Sequence, residues 1–235
     1  MHKIAANSTL VLIMALAAPC SLAQDVAPDV LLKAVTLEVV AIIKQDKDIQ
    51  SNPTKVSDLV ETWILPLFDF SRMTEIAVAR NWRVATPEQQ KALTTEFKTL
   101  LVRTYSAALS NYRDQVFEFK PLRAAPGDTG VTVKSVVRQS GMEALTVDYD
   151  MEKLAAGWKV YDIKIDGVSL IATYRDTFVG KVRESGVDGL IKSLSDKNRQ
   201  GDSRSKPHQS KLFEKLHMIL YATVQRYAPV QSFVR

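Results

Sequence analysis

Residues 158–178 read Trp-Lys-Val-Tyr-Asp-Ile-Lys-Ile-Asp-Gly-Val-Ser-Leu-Ile-Ala-Thr-Tyr-Arg-Asp-Thr-Phe, and the hydrophobic period changes halfway along them. At first apolar and polar residues alternate, with Tyr161, Ile163 and Ile165 on one side, which is typical of a strand with one buried face. Asp166-Gly167 then forms a turn signal. The apolar residues that follow recur at helical spacing: Leu170, Ile171, Tyr174, Phe178 and Val182. The pattern predicts an amphipathic helix that folds back over the apolar face of the strand.

Three earlier stretches alternate in the same way and are separated by turn residues. They span residues 116–120, 131–138 and 145–152, with Pro126-Gly127-Asp128 and Ser140-Gly141 between them. Short connections between alternating strands predict an antiparallel meander of four strands with one side facing solvent. The residues expected on its apolar face are Phe117, Phe119, Val131, Val133, Val137, Leu145, Val147, Tyr149, Met151, Tyr161, Ile163 and Ile165.

Helical patterns come before the meander and after it. Asn52-Pro53 is an N-cap followed by proline at the first helical position, and Pro66 is expected to end that helix. Thr86-Pro87-Glu88-Gln89 predicts a capping box at the start of a long helix. Gly186 is expected to end the helix after the last strand, with a further helix behind it. Helices, then a meander, then helices predict an α+β architecture, in which the covered sheet resembles the NTF2-like arrangement.

The two ends of the chain differ from the part between them. Residues 1–23 combine Lys3, an apolar run and small residues at Ser21 and Ala23, which predicts a secretory signal peptide cut before Gln24. A lipoprotein anchor at Cys20 is the alternative, and Pro19 fits that signal poorly. Residues 201–235 form a polar linker and a basic amphipathic segment, interpreted as a surface extension or as a helix for a membrane or partner. The chain is therefore divided into 1–23, a domain at 24–200, and 201–235.

Charge and residue types narrow the function. The net charge is +5, but the tail holds six basic and two acidic residues and the leader one basic residue, so residues 24–200 balance at 24 of each. A neutral domain lacks the excess of cations that nucleic-acid binding requires. Residues 24–200 contain no histidine and no cysteine, which excludes Ser-His-Asp, Cys-His and histidine-based zinc sites there. No cofactor motif and no metal site are predicted.

Carboxylates are the remaining candidates for chemistry. Asp148, Asp150, Glu152, Asp162 and Asp166 fall on neighbouring predicted strands and would suit an acid–base pair or a cation. They alternate with lysines and arginines on the solvent-facing side of the meander. Opposite charges across strands are ordinary on such a face, so a solvated polar surface is the favoured interpretation.

Three runs carry a resemblance to a known family. The residues from Trp158 to Ile171 with Tyr174-Arg175, the run Phe68-Asp-Phe-Ser-Arg-Met-Thr74, and the run Arg80-Asn-Trp-Arg-Val-Ala-Thr-Pro-Glu-Gln89 resemble the MlaC, or toluene-tolerance, family. The likeness covers residues 27–198. It implies a soluble periplasmic phospholipid carrier, not an enzyme, that serves outer-membrane lipid asymmetry. The implied partners are an inner-membrane lipid ABC transporter complex with its lipid-binding ring subunit and an outer-membrane lipoprotein–porin complex.

The apolar face of the meander is the expected site. By themselves these residues describe a packed core as well as a lined cavity; the resemblance implies that acyl chains lie between sheet and helices, as cargo and not as a cofactor. The residues expected to line the lipid are Phe97, Leu101, Tyr105, Val133, Val147, Tyr149, Ile163, Ile165, Leu170, Tyr174 and Phe178. The alternative functions are an NTF2-like isomerase or hydratase acting on an apolar small molecule and a pure interaction module, since a fold alone does not choose a function.

Overall fold

The computed structural model describes residues 26–106, 109, 112, 114–125 and 127–199, so the predicted signal peptide and tail lie outside the described residues. The α-helices are α1 (Pro28–Gln45), α2 (Pro53–Leu59), α3 (Phe70–Val78), α4 (Pro87–Tyr105) and α5 (Ala172–Arg199). The strands are β1 (Val116–Phe119), β2 (Gly130–Arg138), β3 (Leu145–Leu154), β4 (Gly157–Ile165) and β5 (Val168–Ser169). The predicted α+β class is confirmed.

The sheet is a meander in which every strand pairs with the next one antiparallel, in the order β1-β2-β3-β4-β5. The sheet has five strands, one more than the four that were predicted. Asp166 and Gly167 both have positive φ, 47° and 80°, and form the two-residue turn between β4 and β5. An Asp-Gly pair suits this turn because both central residues must adopt positive φ. Strand β5 ends at Ser169, and the turn that follows begins with Leu170, whose N–H donates to Ile163 O at 2.7 Å, so α5 begins only at Ala172, later than expected.

The helix starts follow their predicted caps. Thr86 Oγ1 accepts from Gln89 N at 3.2 Å and Gln89 Oε1 accepts from Thr86 N at 3.0 Å, which completes the capping box of α4. Asn52 Oδ1 accepts from two backbone amides at the start of α2. Asp69 Oδ1 accepts from Arg72 N at 2.9 Å and caps α3. These caps set the register of each helix and so determine which of its side chains face the sheet.

The helix at 53–64 departs from its prediction. It is α-helical only to Leu59, and residues Val60–Ile64 form a π-helical turn. A π turn holds more residues than an α turn, so the later side chains are rotated around the axis. The helical spacing of Val56, Leu59, Val60 and Trp63 predicts that Trp63 is buried, but Trp63 is 37% exposed.

A β-bulge corrects the predicted face of β4. The pairs Asp150–Asp162 and Met151–Val160 leave Tyr161 without an opposite residue. Because of this extra residue, Val160 takes the inward position and is fully buried, while Tyr161 lies on the outer face with the Arg72 guanidinium 6.0 Å from its ring. The prediction that Tyr161 faces inward was wrong; Ile163 and Ile165 do lie on the inner face.

Gly186 divides α5 into two helical halves, as predicted. Its φ of 72° and ψ of −179° reverse the chain. The second half then runs back beside α4. Two hydrogen bonds show this: Gln89 Nε2 donates to Asp188 Oδ1 at 2.7 Å, and Asn198 Nδ2 donates to Glu96 O at 2.9 Å. The two halves of α5 thus cover the sheet together with α4.

Replacing Gly186 with alanine is expected to destabilise the protein by about 1–3 kcal/mol, because its φ and ψ lie in a region that almost only glycine adopts. Gly180→Ala is the matched control: Gly180 lies in the first helical half with no atom within 4 Å of an added Cβ. That substitution should be neutral or stabilising by up to about 1 kcal/mol. Urea denaturation of both variants measures the difference in stability. Equal free energies of unfolding would contradict the predicted backbone strain of alanine at position 186.

Candidate functional site

The eleven residues predicted to line a lipid all lie on α4, α5 or the strands, or between β5 and α5. Seven are buried and four are half-buried: Tyr105, Tyr149, Ile163 and Tyr174. Eight of them belong to or pack against one apolar cluster between α3, α4, α5 and the sheet: Phe97, Leu101, Tyr105, Ile163, Ile165, Leu170, Tyr174 and Phe178. The structure therefore brings most of the predicted set together, and its role in lipid binding stays a prediction.

The other predicted residues lie farther along the sheet. Val133 and Tyr149 belong to or pack against a second cluster, and Ile163 touches both clusters. Val147 is only 8% exposed, yet it belongs to none of the apolar clusters. Its backbone is held in the sheet, since Val147 O accepts from Ser135 Oγ at 3.1 Å. Val147 thus lies on the inner face between groups of packed side chains.

Helix α1 contributes more to this face than the sequence interpretation assigned. Leu32 is buried against Val133, Met151 and Val160 in the second cluster. The later turns of α1 form a third cluster with residues of α2 and with Phe117. The broad apolar stripe of α1 was visible in the sequence and signalled burial, but not which part of the sheet it covers.

Three tyrosines lie in the layer between sheet and helices. Tyr105, Tyr149 and Tyr174 keep accessible surface, since each is only half-buried. Burial nevertheless raises the pKa of each hydroxyl above its ordinary value of 10. The three tyrosines therefore place hydroxyl groups that stay protonated at neutral pH along the layer between sheet and helices.

Two of these tyrosines are joined across the helices. The hydroxyl oxygens of Tyr105, at the end of α4, and Tyr174, in the first turn of α5, lie 3.3 Å apart. The Tyr174 ring packs against Phe97, with centroids 5.0 Å apart, and against Phe178, with centroids 5.7 Å apart. The pair thus places two polar oxygens at the border of an aromatic cluster.

The larger of two described hollows lies elsewhere, on the outer face of the sheet. It is an open cleft of about 860 Å³ that is lined by Lys120, Pro121, Arg123, Asp128, Gly130, Val131, Thr132, Lys134 and Tyr161. A smaller one of about 250 Å³ adjoins α1 and Tyr112. The outer cleft is lined largely by polar and charged side chains, so it does not suit acyl chains, and it shares only Val131 and the wrongly assigned Tyr161 with the expected apolar face.

Two carboxylates of the outer face are buried, although the sequence predicted a solvated polar surface. Asp150 and Asp162 pair across β3 and β4 and are 8% and 6% exposed. Asp150 accepts from Lys164 Nζ at 2.6 Å and from Thr132 Oγ1 at 2.7 Å. These contacts hold its carboxylate within the sheet and leave it paired, which favours a structural role over catalysis.

Asp162 connects β4 to the start of α5. Its carboxylate accepts from Ile163 N at 2.8 Å, from Ile171 N at 3.2 Å and from the Ser169 hydroxyl. Burial raises the pKa of Asp162, these hydrogen bonds offset part of that rise, and the neighbouring charge of Asp150 adds to it. The carboxylate therefore fixes the turn from which α5 begins.

The described part of the chain holds neither a metal-binding cluster nor a helix that could span a membrane. No group of three or more His, Cys, Asp or Glu side chains there is arranged to hold a metal ion. None of the described helices is both long and apolar enough to cross a membrane.

Comparison with known proteins places this geometry in a family. The model of the MlaC protein family matches residues 33–196. Toluene tolerance protein ttg2D of Pseudomonas putida is 26% identical over 163 residues, which cover 68% of this chain and 75% of that protein. The intermembrane phospholipid transport system binding protein MlaC of Haemophilus influenzae is 22% identical over 157 residues, which cover 63% of this chain and 73% of that protein.

A solved structure agrees with both sequence comparisons. The phospholipid-binding protein from Ralstonia solanacearum, solved in complex with a phospholipid, superposes with a TM-score of 0.67 at 44% sequence identity. The match covers 73% of this chain and 97% of that one. A family model that spans most of the described residues, together with a similar fold, identifies the chain: it belongs to the MlaC protein family.

Proposed function

We propose that this protein binds a diacyl phospholipid between the inner face of its sheet and helices α4 and α5, and carries it between membranes. The observation that carries the proposal is the apolar layer between sheet and helices, in which Tyr105, Tyr149 and Tyr174 keep part of their surface accessible. The structurally similar phospholipid-binding protein from Ralstonia solanacearum was solved in complex with a phospholipid, which supports a phospholipid as the ligand. The proposed lining is the set of eleven residues predicted from the sequence.

The proposed mechanism is solvation without covalent chemistry. A lipid leaves a bilayer only if its chains find another apolar environment, since each methylene exposed to water costs about 0.8 kcal/mol. Residues such as Phe97, Leu101 and Ile165 supply that environment in the interior of the protein. Transfer then needs only that the layer between sheet and helices open to admit and release the chains.

We infer that the protein is a carrier and not an enzyme. Among the described residues, the ionisable groups on the inner face are tyrosines, whose raised pKa values keep them protonated at neutral pH. A protonated phenol is a poor general base, so an isomerase or hydratase would lack the group that removes a proton. The buried carboxylates Asp150 and Asp162 are occupied by structural hydrogen bonds.

The cellular setting is proposed from the family and from the predicted signal peptide at residues 1–23. We place the carrier in the periplasm, where it would serve outer-membrane lipid asymmetry. Its partners would be an inner-membrane lipid ABC transporter complex with its lipid-binding ring subunit and an outer-membrane lipoprotein–porin complex. The balanced charge of residues 24–200 suits a protein that contacts several surfaces without adhering to anionic ones.

The full-length protein, purified without detergent, is expected to carry about one diacyl phospholipid per chain, with mixed headgroups. Organic extraction followed by mass spectrometry and phosphorus analysis measures the content. Stripped protein should reload when it is incubated with vesicles. Purified protein that yields no lipid and takes none from vesicles would contradict the proposal and indicate a filled core.

A further inference from the structure

The Tyr105–Tyr174 pair has one more hydrogen-bond donor than it uses. Each hydroxyl carries one proton, and a single hydrogen bond joins the two oxygens at 3.3 Å. Whichever hydroxyl donates in that bond, the proton of the other has no acceptor among the residues that the structure describes. The pair therefore presents one free O–H group.

The surroundings make that free donor costly unless a ligand accepts from it. The pair borders the rings of Phe97 and Phe178, and both tyrosines pack against the apolar cluster. Burial raises the pKa of both hydroxyls, so both keep their protons at neutral pH. A donor left unsatisfied in such a place is destabilising, and a bound molecule with an acceptor oxygen would remove the penalty.

The chemistry of the acceptor follows from the charges nearby. Arg103 and Arg175, the cations nearest along the chain, are both exposed, and Arg175 Nε donates to Ile76 O. A phosphate or carboxylate held at the tyrosine pair would be desolvated without a counter-charge, which is strongly unfavourable. A neutral carbonyl oxygen accepts a hydrogen bond without that cost.

We propose that the free hydroxyl of the Tyr105–Tyr174 pair donates to an ester carbonyl of the bound phospholipid. The ester is the neutral polar group at the junction of headgroup and acyl chains, and the pair lies where the end of α4 meets the start of α5. This inference rests on the proposed lipid-carrier function. It assigns the pair a selective role: the carrier distinguishes diacyl lipids from lipids that lack a carbonyl at that position.

The test compares two lipids that differ only in this group. Stripped full-length protein is offered an equimolar mixture of diacyl phosphatidylcholine and dialkyl-ether phosphatidylcholine with equal chain lengths, and native mass spectrometry measures the bound ratio. The wild-type protein should favour the diacyl lipid by about five- to tenfold, the effect of one hydrogen bond. The Tyr105→Phe/Tyr174→Phe double variant should bind both lipids to within about twofold of each other.

Controls distinguish a failure of this inference from a failure of the proposed lipid-carrier function. Tyr161→Phe removes a hydroxyl on the outer face and should keep the wild-type preference. Equal binding of both lipids by wild-type protein, or an undiminished preference in the double variant, would overturn the inference while leaving the carrier function intact. Binding of neither lipid by wild-type protein would overturn both. The ratio of the two lipids bound to wild-type protein tests the inference even if the double variant folds poorly.

Discussion

Val147→Asp is expected to yield a folded protein that has lost at least nine-tenths of its phospholipid. Val147 is 8% exposed on the inner face, and it belongs to none of the three apolar clusters. If it lines a lipid site, the new carboxylate is desolvated against acyl chains in the loaded state, at a cost of several kcal/mol. The emptied site admits water, so the unloaded protein tolerates the charge.

Lipid content and thermal unfolding, measured together, separate the outcomes. A dense core at Val147 would make the same substitution unfold the protein. A folded variant with normal lipid content would refute the proposed lining. The alternation along β3 suggests Thr146→Asp as a control, but Thr146 N and Oγ1 both donate to Asp166 Oδ1, so a second carboxylate there would be repelled. Val116→Asp is the better match, because Val116 is 57% exposed and lies opposite Arg138.

Asp162→Ala is expected to cost about 3–5 kcal/mol of stability, although Asp162 lies outside the proposed lipid site. The substitution leaves Ile163 N, Ile171 N and the Ser169 hydroxyl without their shared acceptor. These groups hold the turn from which α5 begins, so lipid content should fall as well. Urea denaturation measures the loss, and a loss below about 1 kcal/mol would show that the turn holds without the carboxylate.

Asp162→Asn is the informative control because it keeps an acceptor and removes the charge. Burial raises the pKa of Asp162 from its ordinary value of 3.8, so between the unfolded and folded pKa values the folded protein binds more protons than the unfolded chain. The contribution of Asp162 to stability is therefore greatest below 3.8 and declines as pH rises through the folded pKa. Relative to wild type, Asp162→Asn should gain stability as the pH rises above 3.8, until the folded carboxyl group is fully ionised. A difference in stability between the two proteins that stays constant with pH would contradict the raised pKa of Asp162.

The helix caps and turns of this protein could be predicted from short stretches of sequence. Thr86 with Gln89, Asn52 with the amides after it, and the Asp166-Gly167 turn each depend on residues no more than four positions apart. The break at Gly186 is likewise local, since it depends on the φ that glycine alone adopts readily. The order of helices and strands followed from these signals together with the hydrophobic period.

The candidate site was predictable only in part. The period of two identified which strand residues share a face, and Val133, Val147, Tyr149, Ile163 and Ile165 do lie on the inner face of the sheet. The contribution of α1 was not assigned, because a helical stripe shows that a face is buried but not what it packs against. Whether these residues hold a lipid stays a prediction, since a packed core and a lined cavity require the same residue types.

The sequence by itself determined the elements, their caps and the apolar face of the meander, because these depend on short-range hydrogen bonds and on the alternation of side chains along a strand. Tertiary structure decided which residue of β4 faces inward, since the bulge that exchanges Tyr161 for Val160 exists only in the pairing of β4 with β3. It also decided the meeting of Tyr105 with Tyr174, 69 positions apart. Contacts between distant residues depend on how helices pack across the sheet, and no local pattern encodes that arrangement.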